Sequence, residues 1–108
     1  MSVNFDFNQS KVAETSYSLL DKIEKILKEN PDLALEISAH TDNIGSFEYN
    51  MQLSQSRAQS IVDHLVLKGI DKQRLVAKGF GESRPISSNS TEDGRMKNRR
   101  VEFVILNN

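Results

Sequence analysis

Residues 33–45 have the sequence LALEISAHTDNIG, and this stretch decides the fold. Between residues 33 and 40, apolar positions alternate with positions that are mostly polar, which predicts a strand with one buried face. The strand leads into a polar loop that contains Thr41, Asp42 and Gly45. Ligands of open α/β sheets tend to bind beyond the carboxyl ends of strands, so this loop is the first place to look for a site.

A long helix is predicted after this loop, from about residue 48 to residue 68. Gly69 ends it, because glycine readily takes the left-handed conformation at a helix C-terminus. Apolar side chains at helical spacing predict its buried stripe: Met51, Ala58, Ile61, Val62 and Leu65. Arg57 falls on the border of that stripe. An arginine at the edge of a core has little freedom and is rarely left without an anionic partner.

Upstream, Val3, Phe5 and Phe7 alternate with polar residues and predict a first strand. Ser10 is expected to cap a helix that begins near Lys11. Asn30-Pro31 ends that helix, since proline disfavours a helical residue before it. One apolar stripe is predicted along it: Leu19, Leu20, Ile23, Ile26 and Leu27.

Downstream, residues 75–77 are predicted to form a short strand. Residues 78–81 follow this strand and include two glycines that are expected to be flexible. Residues 82–98 predict a long polar loop with a helical turn around residues 91–97, and loops this long are more often functional than not. Alternation over residues 101–105 predicts a last strand. The resulting order, βαβαββ, predicts an α/β (α+β) two-layer sandwich with a mixed four-stranded sheet and its helices on one face.

Composition narrows the class of function. The 108 residues suffice for one domain, residues 1–108. Fourteen Lys and Arg against fifteen Asp and Glu give a net charge of -1, without the basic excess that nucleic-acid binding requires. The chain has no cysteine, which excludes disulfides and thiolate metal sites. It has no apolar stretch near the roughly 20 residues that cross a bilayer, and its first residues are not those of a signal peptide.

Asp42 and Arg57 are the strongest candidates for a functional site. Their spacing leaves two interpretations open. In the structural one they pair with each other, or Asp42 caps the helix while the stem of Arg57 covers apolar surface. In the functional one they flank a pocket. A carboxylate suits an ammonium group and a guanidinium suits a carboxylate, so together they would bind an amino-acid head group.

Catalytic and metal-binding alternatives have less support. His40 and Asp42 would project from one strand with no evident relay geometry, and no serine lies in a Gly-x-Ser-x-Gly elbow. Residues 42–45 lack the later bidentate glutamate of a calcium loop. Nothing near His40 or His64 completes a metal-ligand spacing, and His64 is expected on the surface.

The run Asn50-x-x-Leu53-Ser54-x-x-Arg57-Ala58-x-x-Ile61-x-x-x-Leu65 resembles the peptidoglycan-association motif of the OmpA-like C-terminal domain family. Ile61 stands where that pattern usually has valine, and Phe80 stands where tyrosine is common. Further matching pieces occur in the same order along nearly the whole chain: Asn4-Phe5-Asp6-Phe7, His40-Thr41-Asp42-x-x-Gly45, Lys78-Gly79-Phe80-Gly81-Glu82 with Pro85, and Gly94-Arg95-x-x-Asn98-Arg99-Arg100-Val101-Glu102.

The resemblance implies non-covalent binding of peptidoglycan, without catalysis, cofactor or metal. In the family, the residues that match Asp42 and Arg57 hold the diaminopimelate of the stem peptide. Thr41, Asn50, Leu53 and one of Arg99 or Arg100 are expected to complete the pocket wall. The resemblance also implies a periplasmic domain, excised from a larger protein of a Gram-negative outer membrane, that reaches a membrane only through a segment outside this chain.

Two other classes of function stay open. A regulatory domain that binds a free amino acid would recognise the same head group. An enzyme acting on peptidoglycan would release soluble fragments, which we do not expect. An RNA-binding module is disfavoured by the net charge and by the shortage of exposed aromatic residues.

Overall fold

The computed structural model describes residues 12–107. The three helices and three strands have the following bounds: α1 Tyr17–Glu29, β1 Leu35–His40, α2 Phe47–Leu67, β2 Leu75–Gly81, α3 Glu92–Asn98 and β3 Arg100–Ile105. Short 3-10 turns at Glu14–Ser16 and Lys72–Arg74 precede α1 and β2. The chain is therefore an α+β protein, as its sequence predicts.

Helix α1 begins later than the sequence predicts. Val12 forms an isolated β-bridge and Ala13 is extended, so a helix from Lys11 is wrong, and Ser10 lies outside the described residues. The end of the helix is confirmed. The Arg74 guanidinium donates to the carbonyls of Leu27 and Asn30, which satisfies acceptors that the helix itself leaves unpaired.

Helix α2 has the predicted extent within one residue at each end. The Ser46 hydroxyl accepts a hydrogen bond from the backbone N–H of Tyr49 and caps its first turn. Gly69 follows the helix at φ +101°, the left-handed conformation expected of it. The buried residues of α2 form one stripe that includes two polar side chains: Asn50, Ser54, Ala58, Ile61, Val62 and Leu65.

The sheet is mixed, in the order β2-β1-β3, with β2 parallel and β3 antiparallel to the central strand. These are the strands of the described residues. The further strand predicted at residues 3–7 lies outside them. Alternate residues of β1, namely Leu35, Ile37 and Ala39, join the buried residues of α1 and α2 in one apolar cluster. Both long helices therefore pack against the same face of the sheet.

Strand β2 is longer than predicted, because the glycines expected to be flexible continue it to Gly81. A Cβ at Gly79 would lie 2.2 Å from the backbone nitrogen of Gln55, so only glycine allows α2 to pack this close. The Gln55 side chain also bridges to β2 by donating to the Ala77 carbonyl and accepting from the Gly79 N–H. The glycines thus serve helix–strand packing.

The polar stretch after β2 contains helix α3, where a helical turn is predicted, with the Thr91 hydroxyl as its N-cap. Asn98 is fully buried at the end of α3. Its Oδ1 accepts from the N–H groups of Ile86 and Ser87, and its Nδ2 donates to the Ser87 carbonyl and to Asn89 Oδ1. One amide therefore fixes the preceding loop against α3.

Candidate functional site

Asp42 follows the carboxyl end of β1 and is 8% exposed. Its Oδ1 accepts a 2.9 Å hydrogen bond from the backbone N–H of Ile44, and its Oδ2 accepts a 2.7 Å hydrogen bond from the Arg99 guanidinium. Ser46, not Asp42, caps α2, so the capping interpretation of Asp42 is wrong. The carboxylate is held in one orientation inside the loop, at the edge of the sheet.

Arg99 is the arginine of the 99–100 pair that reaches this loop. Its second guanidinium nitrogen donates to Glu92 Oε2 at 2.9 Å, so a single cation joins the Asp42 loop to the first turn of α3. The hydrogen bonds to Glu92 and Asp42, in that order of size, raise the pKa of Arg99 above its ordinary value. Arg99 is therefore charged at every physiological pH.

Arg100 lies on the other face of the sheet. It pairs across the ladder with His40, whose side chain faces away from the apolar cluster. Its guanidinium donates to Glu102 and to the carbonyls of Asn98 and Arg84. These contacts assign Arg100 to the sheet and leave Arg99 as the candidate for the site.

Arg57 is half-buried on α2, at the border of the buried stripe, as predicted. Burial lowers the pKa of Arg57 from its ordinary value, and the nearby Tyr49 opposes that effect. Residues four apart lie in a row on a helix, so Tyr49, Leu53 and Arg57 share one side of α2. Long side chains on a helix lean toward its N-terminus, so we expect the Arg57 side chain to extend toward the end of α2 that carries the Asp42 loop.

The other predicted wall residues differ in what they contact. Asn50 is buried, and its amide donates to the carbonyls of Asp42 and Ile44 and to Glu82 Oε1. Thr41 is buried, and its hydroxyl donates to the Asp42 carbonyl. Both side chains therefore brace the loop from within. Leu53 is half-buried and lies about one turn before Arg57 on α2.

The histidines lie in different surroundings. His40 is 6% exposed and stacks on the Phe80 ring at 5.2 Å between centroids. His64, which is expected on the surface, is partly exposed and stacks on Tyr17 at 5.3 Å between centroids. Within residues 12–107, no three His, Cys, Asp or Glu side chains group closely enough to hold a metal ion. In the same span, no helix combines the length and the apolar character needed to cross a membrane.

Two residues near this site were not predicted from the sequence. Glu92, the second partner of Arg99, is separated from it by the length of α3, and only the helix places the two side chains together. Tyr49 lies four residues before Leu53 on α2, just before the first residue of the motif. This helical spacing was the signal that could have identified it.

Comparison with known proteins supports a single family. Residues 4–99 match the model of the OmpA family. The chain is 42% identical over 106 residues to outer membrane porin F of Pseudomonas aeruginosa, covering 97% of this chain and 30% of the relative. It is 37% identical over 103 residues to the peptidoglycan-binding protein ArfA of Mycobacterium tuberculosis, covering 95% and 32%. The chain thus spans about a third of each relative.

A solved structure gives the same result for the fold. The peptidoglycan-associated lipoprotein of Burkholderia pseudomallei superposes with a TM-score of 0.87 and 32% identity. The match covers 96% of this chain and 88% of that structure. The chain belongs to the OmpA family.

Proposed function

We propose that this domain binds peptidoglycan non-covalently and thereby anchors an envelope protein to the cell wall. The observation that carries the proposal is the placement of Asp42 and Arg57 on two elements that Asn50 ties together. A buried carboxylate follows β1, and a half-buried arginine lies on α2, the helix that begins after the same loop. The names of two relatives, a peptidoglycan-binding protein and a peptidoglycan-associated lipoprotein, support the same ligand.

The ligand group that suits this pair is the free end of diaminopimelate, where an ammonium and a carboxylate share one carbon. The ammonium would bind Asp42, and the carboxylate would bind Arg57 through two parallel hydrogen bonds. The N-terminus of α2 adds positive potential for the carboxylate. Thr41 and Asn50 would hold the loop in shape, Leu53 would supply apolar wall, and Arg99 would keep Asp42 oriented.

This function requires binding and no bond breaking, so we propose a binding module rather than an enzyme. The site would lie in the periplasm, as part of an envelope protein of a Gram-negative bacterium. Relatives named as outer membrane proteins and as a lipoprotein support that location. The membrane attachment would come from another part of the whole protein.

The test is cosedimentation of this chain with diaminopimelate-type peptidoglycan sacculi, using Asp42→Asn and Arg57→Gln. Asp42→Asn keeps an acceptor for the Ile44 N–H while it removes the charge. Loss of one charge-assisted contact is worth about 1.5–3 kcal/mol, so each variant should bind about ten- to a hundredfold more weakly. Lys78→Gln, an exposed charge change on the sheet's other face, should bind like the wild type.

A second arm uses lysine-type peptidoglycan, whose side chain keeps the ammonium but lacks the carboxylate. Binding should weaken markedly because Arg57 loses its partner. Full retention by both site variants, or equal binding to the two wall types, would overturn the proposal. Release of soluble muropeptides would indicate an enzyme, and equally tight binding of many free amino acids would indicate a regulatory domain.

A further inference from the structure

A ligand whose head group lies between Asp42 and Arg57 must leave the site along one of its walls. Asn50, next to Tyr49 on α2, is buried, and its amide is already bonded to Asp42, Ile44 and Glu82. Leu53 and Tyr49 form the apolar part of the row that leads away from Arg57. The rest of a ligand bound there would therefore extend over apolar side chains.

Tyr49 is placed to serve as the outer part of that wall. Its side chain is attached to the first turn of α2, where its own N–H is bonded to Ser46. Its ring carbon Cδ2 lies 3.9 Å from where a Cβ on Gly45 would be, so the ring rests beside the loop that begins with Asp42. Tyr49 is still 44% exposed, which leaves ring surface free for a ligand.

We infer that Tyr49, together with Leu53, forms an apolar wall against which the methylene chain of the bound diamino acid packs. The inference rests on the proposed function and adds selectivity to it. The charged pair recognises any amino-acid head group, whereas the wall favours a head group that carries an aliphatic chain. An aromatic ring fits this purpose because it offers a large rigid apolar face at low entropic cost.

The electrostatics of the row agree with this placement. Burial lowers the pKa of Arg57 and Tyr49 raises it, as expected for two side chains of one row on α2. Phe47 offers a natural comparison. It is also aromatic and 51% exposed, but two residues along a helix correspond to about 200° of rotation, so it lies on a different side of α2.

The experiment is an NMR titration of this chain with free meso-diaminopimelate and, separately, with glycine. Glycine has the head group without the chain. Tyr49→Ala should bind diaminopimelate about three- to tenfold more weakly, since burial of each methylene is worth up to about 0.8 kcal/mol. Its affinity for glycine should stay within about twofold of the wild type. Tyr49→Phe and Phe47→Ala should match the wild type with both ligands.

The outcomes separate this inference from the proposed function. An equal loss for both ligands in Tyr49→Ala, no loss for either, or the same selective loss in Phe47→Ala would overturn the role of Tyr49. Asp42→Asn should weaken both ligands. If diaminopimelate binds and Asp42→Asn has no effect, the charged pair is refuted, while Tyr49 is still judged by its own variants. If diaminopimelate does not bind the wild type, both proposals fall.

Discussion

The guanidinium of Arg99 donates a 2.7 Å hydrogen bond to the carboxylate of Asp42, across a sequence separation of 57 residues. Asp42 follows the central strand β1 and Arg99 precedes the antiparallel strand β3, so the contact links these two strands at the end of the sheet where the candidate site lies. The same guanidinium bonds Glu92 on α3. A small helix and two strands are thus joined by one side chain.

Arg99→Ala should lower the free energy of unfolding by about 1–2 kcal/mol, because the mostly buried Asp42 loses a charged donor. The expected decrease in the free energy of unfolding is modest because the Arg99 side chain is 39% exposed, so solvent screens its charge. Urea denaturation measures the change. Glu92→Gln is the control, because its carboxylate is exposed and should contribute little. A larger effect in Glu92→Gln than in Arg99→Ala would contradict this account.

Asn98→Ala should destabilise the protein by about 3 kcal/mol or more, because the four hydrogen bonds between the fully buried Asn98 amide and residues 86–89 are lost. Asn98→Asp keeps the two acceptor bonds, but it sets a buried carboxylate against the Ser87 carbonyl and Asn89 Oδ1, so its loss should be at least as large. Chemical denaturation at neutral pH compares the two. A clearly smaller loss in Asn98→Asp than in Asn98→Ala would contradict the buried placement of the donor side of this amide.

Gly79→Ala should destabilise by more than about 2 kcal/mol, because its Cβ would meet the backbone of α2 at Gln55. Gly69→Ala provides the comparison. Near Gly69 a Cβ meets only the Lys28 side chain at 3.9 Å, so its cost is the left-handed conformation alone, about 1 kcal/mol. Thermal melts of both variants test the order. A Gly79 variant as stable as the Gly69 variant would refute the close packing of α2 on β2.

His40 should make the protein less stable as the pH falls below about 6.5. Burial, with help from Arg100 and Arg84, lowers the pKa of His40 in the folded state, against an opposing effect of Glu102 and Glu36. The unfolded chain therefore takes up a proton first. The stability is complete above the ordinary histidine pKa of 6.5 and is lost as the pH falls through the lowered folded value.

The measurement for His40 is the urea midpoint between about pH 7 and about pH 5, where histidine titrates and most carboxylates do not. His40→Phe keeps a ring against Phe80 and removes the titrating group, so its profile should be flatter than that of the wild type. A slope unchanged by the substitution would assign the pH dependence to other groups, and a rise in stability toward pH 5 would reverse the predicted sign.

The sequence by itself determined the strands and helices whose patterns are local. Period-two alternation defined β1 and β3, helical spacing defined the buried face of α2, and Gly69 marked its end. The two sequence pieces that contain Asp42 and Arg57 could also be identified, because each piece lies within one loop or one helix. Where the pattern was weak, as at the start of α1, the predicted boundary was wrong.

Only the tertiary structure decided features that depend on contacts between distant segments. It gave Asp42 a partner in Arg99, placed Arg100 on the opposite face, and turned Gly79 from a flexible position into a packing contact. Local sequence encodes backbone preference and the direction of each side chain along its own element. Which charge meets which carboxylate depends instead on how helices and strands from distant parts of the chain are brought together.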